Sequence, residues 1–152
     1  MPKPDTNDCT CRVCAQACEF KPGWFHPHQI APLAKAMGLT IEQLFADHLT
    51  VDWWAGDDVT GGRDVFVLSP RLNTQRGGGT FPANPHGCCH WYQNGKCEVH
   101  FQGKPAECAF AHHDVSHAEY LSHRISVVRA WAMCQEAIYK LLGRDPTLPF
   151  VK

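Results

Sequence analysis

The chain has 152 residues, one domain's worth, and at that size folding buries roughly 70% of the surface an unfolded chain exposes. Its composition, 44% hydrophobic, 11% aromatic and 19% charged, excludes a disordered tail, a collagenous repeat and a long coiled coil. Fourteen Lys and Arg against 15 Asp and Glu leave a formal charge of −1, so no global field draws the chain to nucleic acid or to an anionic membrane.

In chain order, the first element is a thiol-rich segment from Cys9 to Cys18, CTCRVCAQAC, closed by Pro22 and Gly23. Ile30, Leu33, Ala34 and Met37 then recur at helical spacing over His28 to Met37, with Pro32 in the first turn and Gly38 as the stop. Thr40 to Gln43 (TIEQ) is a capping box that opens a second short helix, whose Ile41, Leu44, Phe45 and His48 or Leu49 face the core. Val51 to Gly62 has no clear period and reads as loop. Asp64 to Ser69 (DVFVLS) reads as one buried strand between Gly62 and Pro70.

Arg71 to Gly87, with its run of three glycines, reads as a flexible loop leading to a second cysteine group, Cys88, Cys89, Cys97 and Cys108. Ser116 to Glu119 (SHAE) is another capping box. From there Leu121, Ile125, Val128, Trp131, Ile138 and Leu142 predict one long amphipathic helix over about 116–142, ended by Gly143 and Pro146. The resulting expectation is a single domain over 1–152, α+β and helix-dominated. Its loop-rich centre, about 9–108, is organised by a metal, and a long C-terminal helix follows.

Nine cysteines and ten histidines are the unusual feature. An odd number of thiols cannot all close into disulfides within one monomer, and the chain opens without an apolar leader, so a reducing, cytoplasmic setting is expected. No apolar run approaches the roughly 20 residues that span a bilayer. Cys11, Cys14 and Cys18 are spaced C-x2-C-x3-C, which on a helix places three sulfurs on one face. Cys89, Cys97 and Cys108 follow as C-x7-C-x10-C, and Asn94-Gly95 is a tight-turn signal that folds Cys97 back toward Cys89. Thiolates bind zinc, copper(I) and iron or iron–sulfur centres.

These residues resemble the zinc- or iron-chelating cysteine-cluster domains of CxxCxxCC type, also called YkgJ-like. The resemblance covers roughly Cys11 to Cys108. It rests on Cys11, Cys14 and Cys18, with Ala17 where the family has a further cysteine, and on the order Cys89, Trp91-Tyr92, Gly95-Lys96-Cys97, Val99-His100, then Pro105 before Cys108. It implies zinc or iron chelation by Cys11, Cys14, Cys18, Cys89, Cys97 and Cys108. The same pattern in a flagellin lysine methylase implies an iron–sulfur centre, so a redox or methyl-transfer accessory protein is the enzymatic alternative. A metal-stabilised protein-interaction module is another.

Charge counting restricts the arrangement. Six thiolates on one divalent ion would carry about −4, too costly to desolvate, whereas four on one ion, six on two ions, or a cluster held by four each lower that charge. Arg12, Lys96, Lys104 and His100 lie beside the ligands to offset what remains. Cys88 adjoins Cys89 and is able to replace it. Cys134 reads as a small buried helix residue, and Cys9 as a terminal thiol. His26, His28, His86, His90, His112 and His113 lie near cysteine groups or loops; each reads singly as an ordinary histidine, and whether one completes the site stays open. The RGGGT run lacks the Gly-Lys-Ser/Thr of a phosphate loop, and Asp57, Asp58 and Asp64 read as loop solubilisers. The sequence supplies no substrate or protein partner.

Overall fold

A computed structural model of the chain describes residues 23–81, 88–93, 96–97 and 116–143. Among them, a single 3-10 turn, Pro27–Gln29, leads into helices α1 (Ile30–Ala36) and α2 (Ile41–His48). Strands β1 (Leu49–Trp54), β2 (Val65–Pro70) and β3 (Gly79–Thr80) follow, then a hairpin of β4 (Tyr92–Gln93) and β5 (Lys96–Cys97), and helices α3 (His117–Ala132) and α4 (Gln135–Leu142). The class is mixed α+β, as expected.

The first two helices form where the sequence places them. Ile30, Leu33 and Ala34 are buried on α1, Pro32 stands in its first turn, and Gly38 leaves it at a φ of 70° that favours glycine. The capping box at α2 is complete: Gln43 N donates to Thr40 Oγ1 at 3.0 Å, and Thr40 N donates to Gln43 Oε1 at 2.9 Å. Leu44 and Phe45 are buried, but Ile41, expected in the core, is 37% exposed.

The stretch read as loop from Val51 begins as the central strand. β1 pairs antiparallel with β2 from Leu49↔Pro70 to Trp54↔Val65 and parallel with β3 at Thr50↔Gly79 and Val51↔Thr80, so the sheet order is β2-β1-β3. It escaped the pattern because Leu49, Thr50, Val51 and Asp52 are all buried, leaving no in–out alternation, and because α2 runs into β1 with no turn residue between. Asp52 is satisfied inside the core, accepting from Trp24 Nε1 at 2.7 Å and from Trp53 N at 2.8 Å. The guanidinium of Arg124 lies 3.8 Å over the Trp24 ring.

Two further loop readings change. Asp57 and Asp64 are turn organisers: Asp57 Oδ1 accepts from Trp54 Nε1 and Val59 N, and Asp64 Oδ1 accepts from Gly56 N. The glycine run is packed in place. A Cβ at Gly77 would sit 2.5 Å from the Ala46 carbonyl oxygen, and Gly78, at a φ of 80°, donates its N–H to Leu49 O at 2.8 Å. Glycine there lets β3 approach the end of α2.

The long C-terminal helix is two helices. Ser116 Oγ caps α3 by accepting from Glu119 N at 3.1 Å, but the helix ends at Ala132, with Met133 86% exposed and Cys134 in non-helical backbone. The break turns Gln135 onto the edge of β2: Gln135 Oε1 accepts from Phe66 N at 2.9 Å, and Nε2 donates to Phe66 O and Trp131 O, both at 2.8 Å. Apolar periodicity runs in phase through this junction, because Val128, Trp131 and Ile138 all join one core with Trp24, Phe25 and the sheet. Cys134 is therefore a half-buried junction residue, not a helix-interior one.

Candidate metal centre

The second cysteine group enters the described structure as a short extended segment, 88–90, lying antiparallel to 71–73. Leu72 and Cys89 form a bridge pair, His90 N donates to Arg71 O at 2.9 Å, and Asn73 N donates to Cys88 O at 2.8 Å. Alternation along this segment separates the neighbouring thiols. Cys89 is 4% exposed and belongs to the core, whereas Cys88 is half-buried.

Asn73 brackets Cys88. Its Oδ1 accepts from Cys88 N at 3.2 Å, and its Nδ2 donates to Cys88 Sγ at 3.3 Å. Such an N–H···S contact is of the kind found around metal-bound sulfur. Cys89 is packed into the core instead. Both remain admissible as the ligand from this pair.

The hairpin expected around Asn94-Gly95 has its two flanks. Tyr92 pairs with Cys97 and Gln93 with Lys96, which leaves two residues for the turn; Asn94 and Gly95 themselves lie outside the described residues. This register brings the backbone of Cys97 opposite Tyr92, three residues beyond Cys89. Cys11, Cys14, Cys18 and Cys108 lie outside the described residues, as do Cys9, Arg12, His86, His100, Lys104, His112 and His113. Among the described residues, no three His, Cys, Asp or Glu side chains gather around one point.

A histidine pair sits against this segment. His48, on the last turn of α2, and His90 meet through Nδ1 and Nε2 at 2.7 Å. Their ring centroids are 4.9 Å apart and their planes differ by 25°, so the two nitrogens lie close to the line joining the rings and share one proton. Trp91, buried at the next position, stacks on His48 at 5.5 Å and meets Phe25 edge-on at 6.2 Å. The guanidinium of Arg71 donates to the carbonyls of Asp47, Leu72 and Gln75 at 2.9 to 3.1 Å.

Both imidazoles are held toward the neutral form. His90 is pushed down to about 4 by burial, then by the charges of Arg71 and His48. Burial also lowers His48, with Arg71 acting in the same sense and Asp47 opposing. Sequence reasoning weighed His90 only as a single histidine near cysteines and assigned His48 to the core face of a helix. The 42-residue separation of the pair left no local signal. His26, the other described histidine with a lowered value, caps the 3-10 turn, its Nδ1 accepting from His28 N at 3.4 Å.

Elsewhere, an apolar groove with a volume of about 180 Å³ opens between α1 and α4, lined by Pro27, Ile30, Leu68, Trp131, Cys134 and Ile138 among others. No described helix is long and apolar enough to cross a membrane. Comparison of the chain with family models, curated proteins and solved structures finds no match.

Proposed function

We propose that this protein binds zinc or iron through a cysteine cluster drawn from Cys11, Cys14, Cys18, Cys89, Cys97 and Cys108, with its thiols kept reduced as in a cytoplasm. The observation that supports the reading is the β4–β5 register: pairing of Tyr92 with Cys97 returns the backbone of Cys97 to a position opposite Tyr92, three residues beyond Cys89. The hairpin thus turns Cys97 back toward the stretch that bears Cys88 and Cys89, the kind of half-site that a distant C-x2-C-x3-C group would complete. The Asn73 amide on Cys88 Sγ adds a donor of the type that surrounds metal-bound sulfur.

Metal analysis and a visible spectrum on protein purified without oxygen test this. A colourless protein with about one or two zinc ions per chain supports chelation or a structural zinc, and brown colour with iron and sulfide supports the redox or methyl-transfer accessory. Folded protein with neither metal defeats the proposal. A second reading, a metal-stabilised interaction module, is favoured by the apolar groove between α1 and α4. It is the reading left if the bound metal resists chelators and does no redox chemistry.

A further inference from the structure

We propose that His26 is a proton-operated latch on the turn Pro27–Gln29: its neutral imidazole closes the turn, and protonation opens it and frees the α1 wall of the apolar groove. His26 Nδ1 accepts from His28 N at 3.4 Å, so that nitrogen carries a lone pair and the ring's proton sits on Nε2. A second proton would make Nδ1 a donor aimed at another donor. The cap is then lost. The turn keeps only its main-chain closures, with His26 N donating to Gln29 Oε1 at 2.8 Å and Gln29 N donating to His26 O at 3.0 Å.

The turn stands between two anchors and is itself held by polar contacts. Phe25, just before His26, donates its N–H to Leu68 O at 2.9 Å and accepts from Trp131 Nε1 at 2.6 Å. Ile30, just after Gln29, is buried on α1, whereas no residue of Pro27–Gln29 is buried. Little apolar packing therefore opposes loss of the cap, and the opening is confined between Phe25 and Ile30. Pro27, Ile30 and Ala31 line the groove of about 180 Å³ opposite Ile138 and Leu141 of α4. Movement of the turn changes that wall first.

The surroundings resist a charge on His26. Burial holds its proton affinity below the ordinary 6.5, and so do His28, whose ring centroid is 3.9 Å away, and His123 on α3. Arg124, next to His123, lies over Trp24. Glu119, one turn before His123, is the acid of α3 and is exposed; α1 carries only Lys35, in its last turn and away from the latch. The unfolded chain protonates at the ordinary value and the folded ring below it. Closure is therefore complete above 6.5 and is lost as pH falls through the lower folded value. Any charge on His28 or His123 adds repulsion to the lost cap.

The test is NMR on the full chain at pH 7.5 and pH 5, comparing wild type with His26→Asn and His26→Ala. Imidazole ¹⁵N shifts of wild type at pH 7.5 should place the His26 proton on Nε2; a proton on Nδ1 would overturn the latch. Between the two pH values, exchange protection at the His28 and Gln29 amides, taken relative to the unfolded-chain rate, should fall about fivefold in wild type, the order a lost N-cap carries. His26→Asn keeps a capping oxygen that does not titrate, so protection should hold at both pH values; in His26→Ala it should be low at both. The methyls of Ile30 and Ala31 should shift with the His26 titration in wild type and stay still in His26→Asn. Equal losses in wild type and His26→Asn, losses shared by the β1–β2 amides, or methyls that ignore the titration would each overturn the proposal. The tautomer and the wild-type titration decide it even where a variant folds poorly.

Discussion

The edge of β2 and the bridge at Leu72 are closed by different means. Along β2, Phe25 N donates to Leu68 O, the Gln135 amide pairs with both main-chain groups of Phe66, and Trp131 Nε1 locks Phe25 O at 2.6 Å. Every one of these groups is backed by the buried core. At Leu72, segment 88–90 is held by two main-chain bonds, the Asn73–Cys88 bracket and a half-buried histidine pair. The first region is stabilised by apolar burial with its polar groups satisfied in passing. The second adds to the buried Leu72, Cys89 and Trp91 a set of half-buried polar contacts that water can replace, so local opening reaches it more readily.

The comparison breaks most visibly in the core itself. Leu44→Ala, at a fully buried position of α2, should destabilise by about 3 kcal/mol. Urea unfolding should show that loss, while metal content per folded chain stays at the wild-type value. Loss of metal in step with stability would show that the two regions are one cooperative unit. Next, Gln135→Ala leaves Phe66 N–H and C=O without their side-chain partner and should cost about 1–3 kcal/mol, read by thermal unfolding. An unchanged melting temperature would mean that water closes this edge as well as Gln135 does.

Metal removal should act on the other side of the comparison. Chelation, or Cys97→Ser, is expected to speed hydrogen exchange at the amides of Asn73 and His90, which hold segment 88–90, while amides of the β1–β2 ladder keep their protection. Equal acceleration in both sets would mean that the metal holds the whole fold. Smaller still is the cap of α2. Thr40→Ala removes the acceptor for Gln43 N at an exposed helix end and should cost about 1 kcal/mol, with no effect on exchange at His90.

These contrasts follow what was legible in the residues. Elements with a local chemical signature are present: the TIEQ box, the DVFVLS strand and the flanks of the Asn-Gly hairpin each declare themselves within a few residues. What stayed hidden depends on distant partners. β1 carries Asp52 because Trp24, 28 residues earlier, satisfies it, so the stretch showed no clear period and read as loop. The helix break at Met133 and Cys134 follows from Gln135 meeting Phe66, 69 residues away, while the apolar period ran on undisturbed. His48 and His90 are the same kind of miss: they meet across 42 residues, and only the fold could bring a histidine from α2 to segment 88–90.

The smallest effect expected is that of pH, and its sign is fixed by the histidine pair. Both rings have lowered proton affinity in the folded chain, His90 to about 4, against the ordinary value of 6.5. Below that ordinary value the unfolded chain takes up protons that the folded pair refuses, so stability is fully present above it and is lost as pH falls from 6.5 toward about 4. Because both rings are only half-buried, solvent screens the loss and it should be modest. His26, lowered by burial and then by the charges of His28 and His123, pulls in the same direction and must be separated. The measurement is the urea midpoint of metal-free protein at pH 7.5 and pH 5, in wild type and in His90→Gln. Wild type should lose more stability than the variant between the two values, since His26 contributes equally to both. Parallel losses would place the acid sensitivity at His26, next to α3, and would leave the bridge at Leu72 as indifferent to pH as the edge of β2.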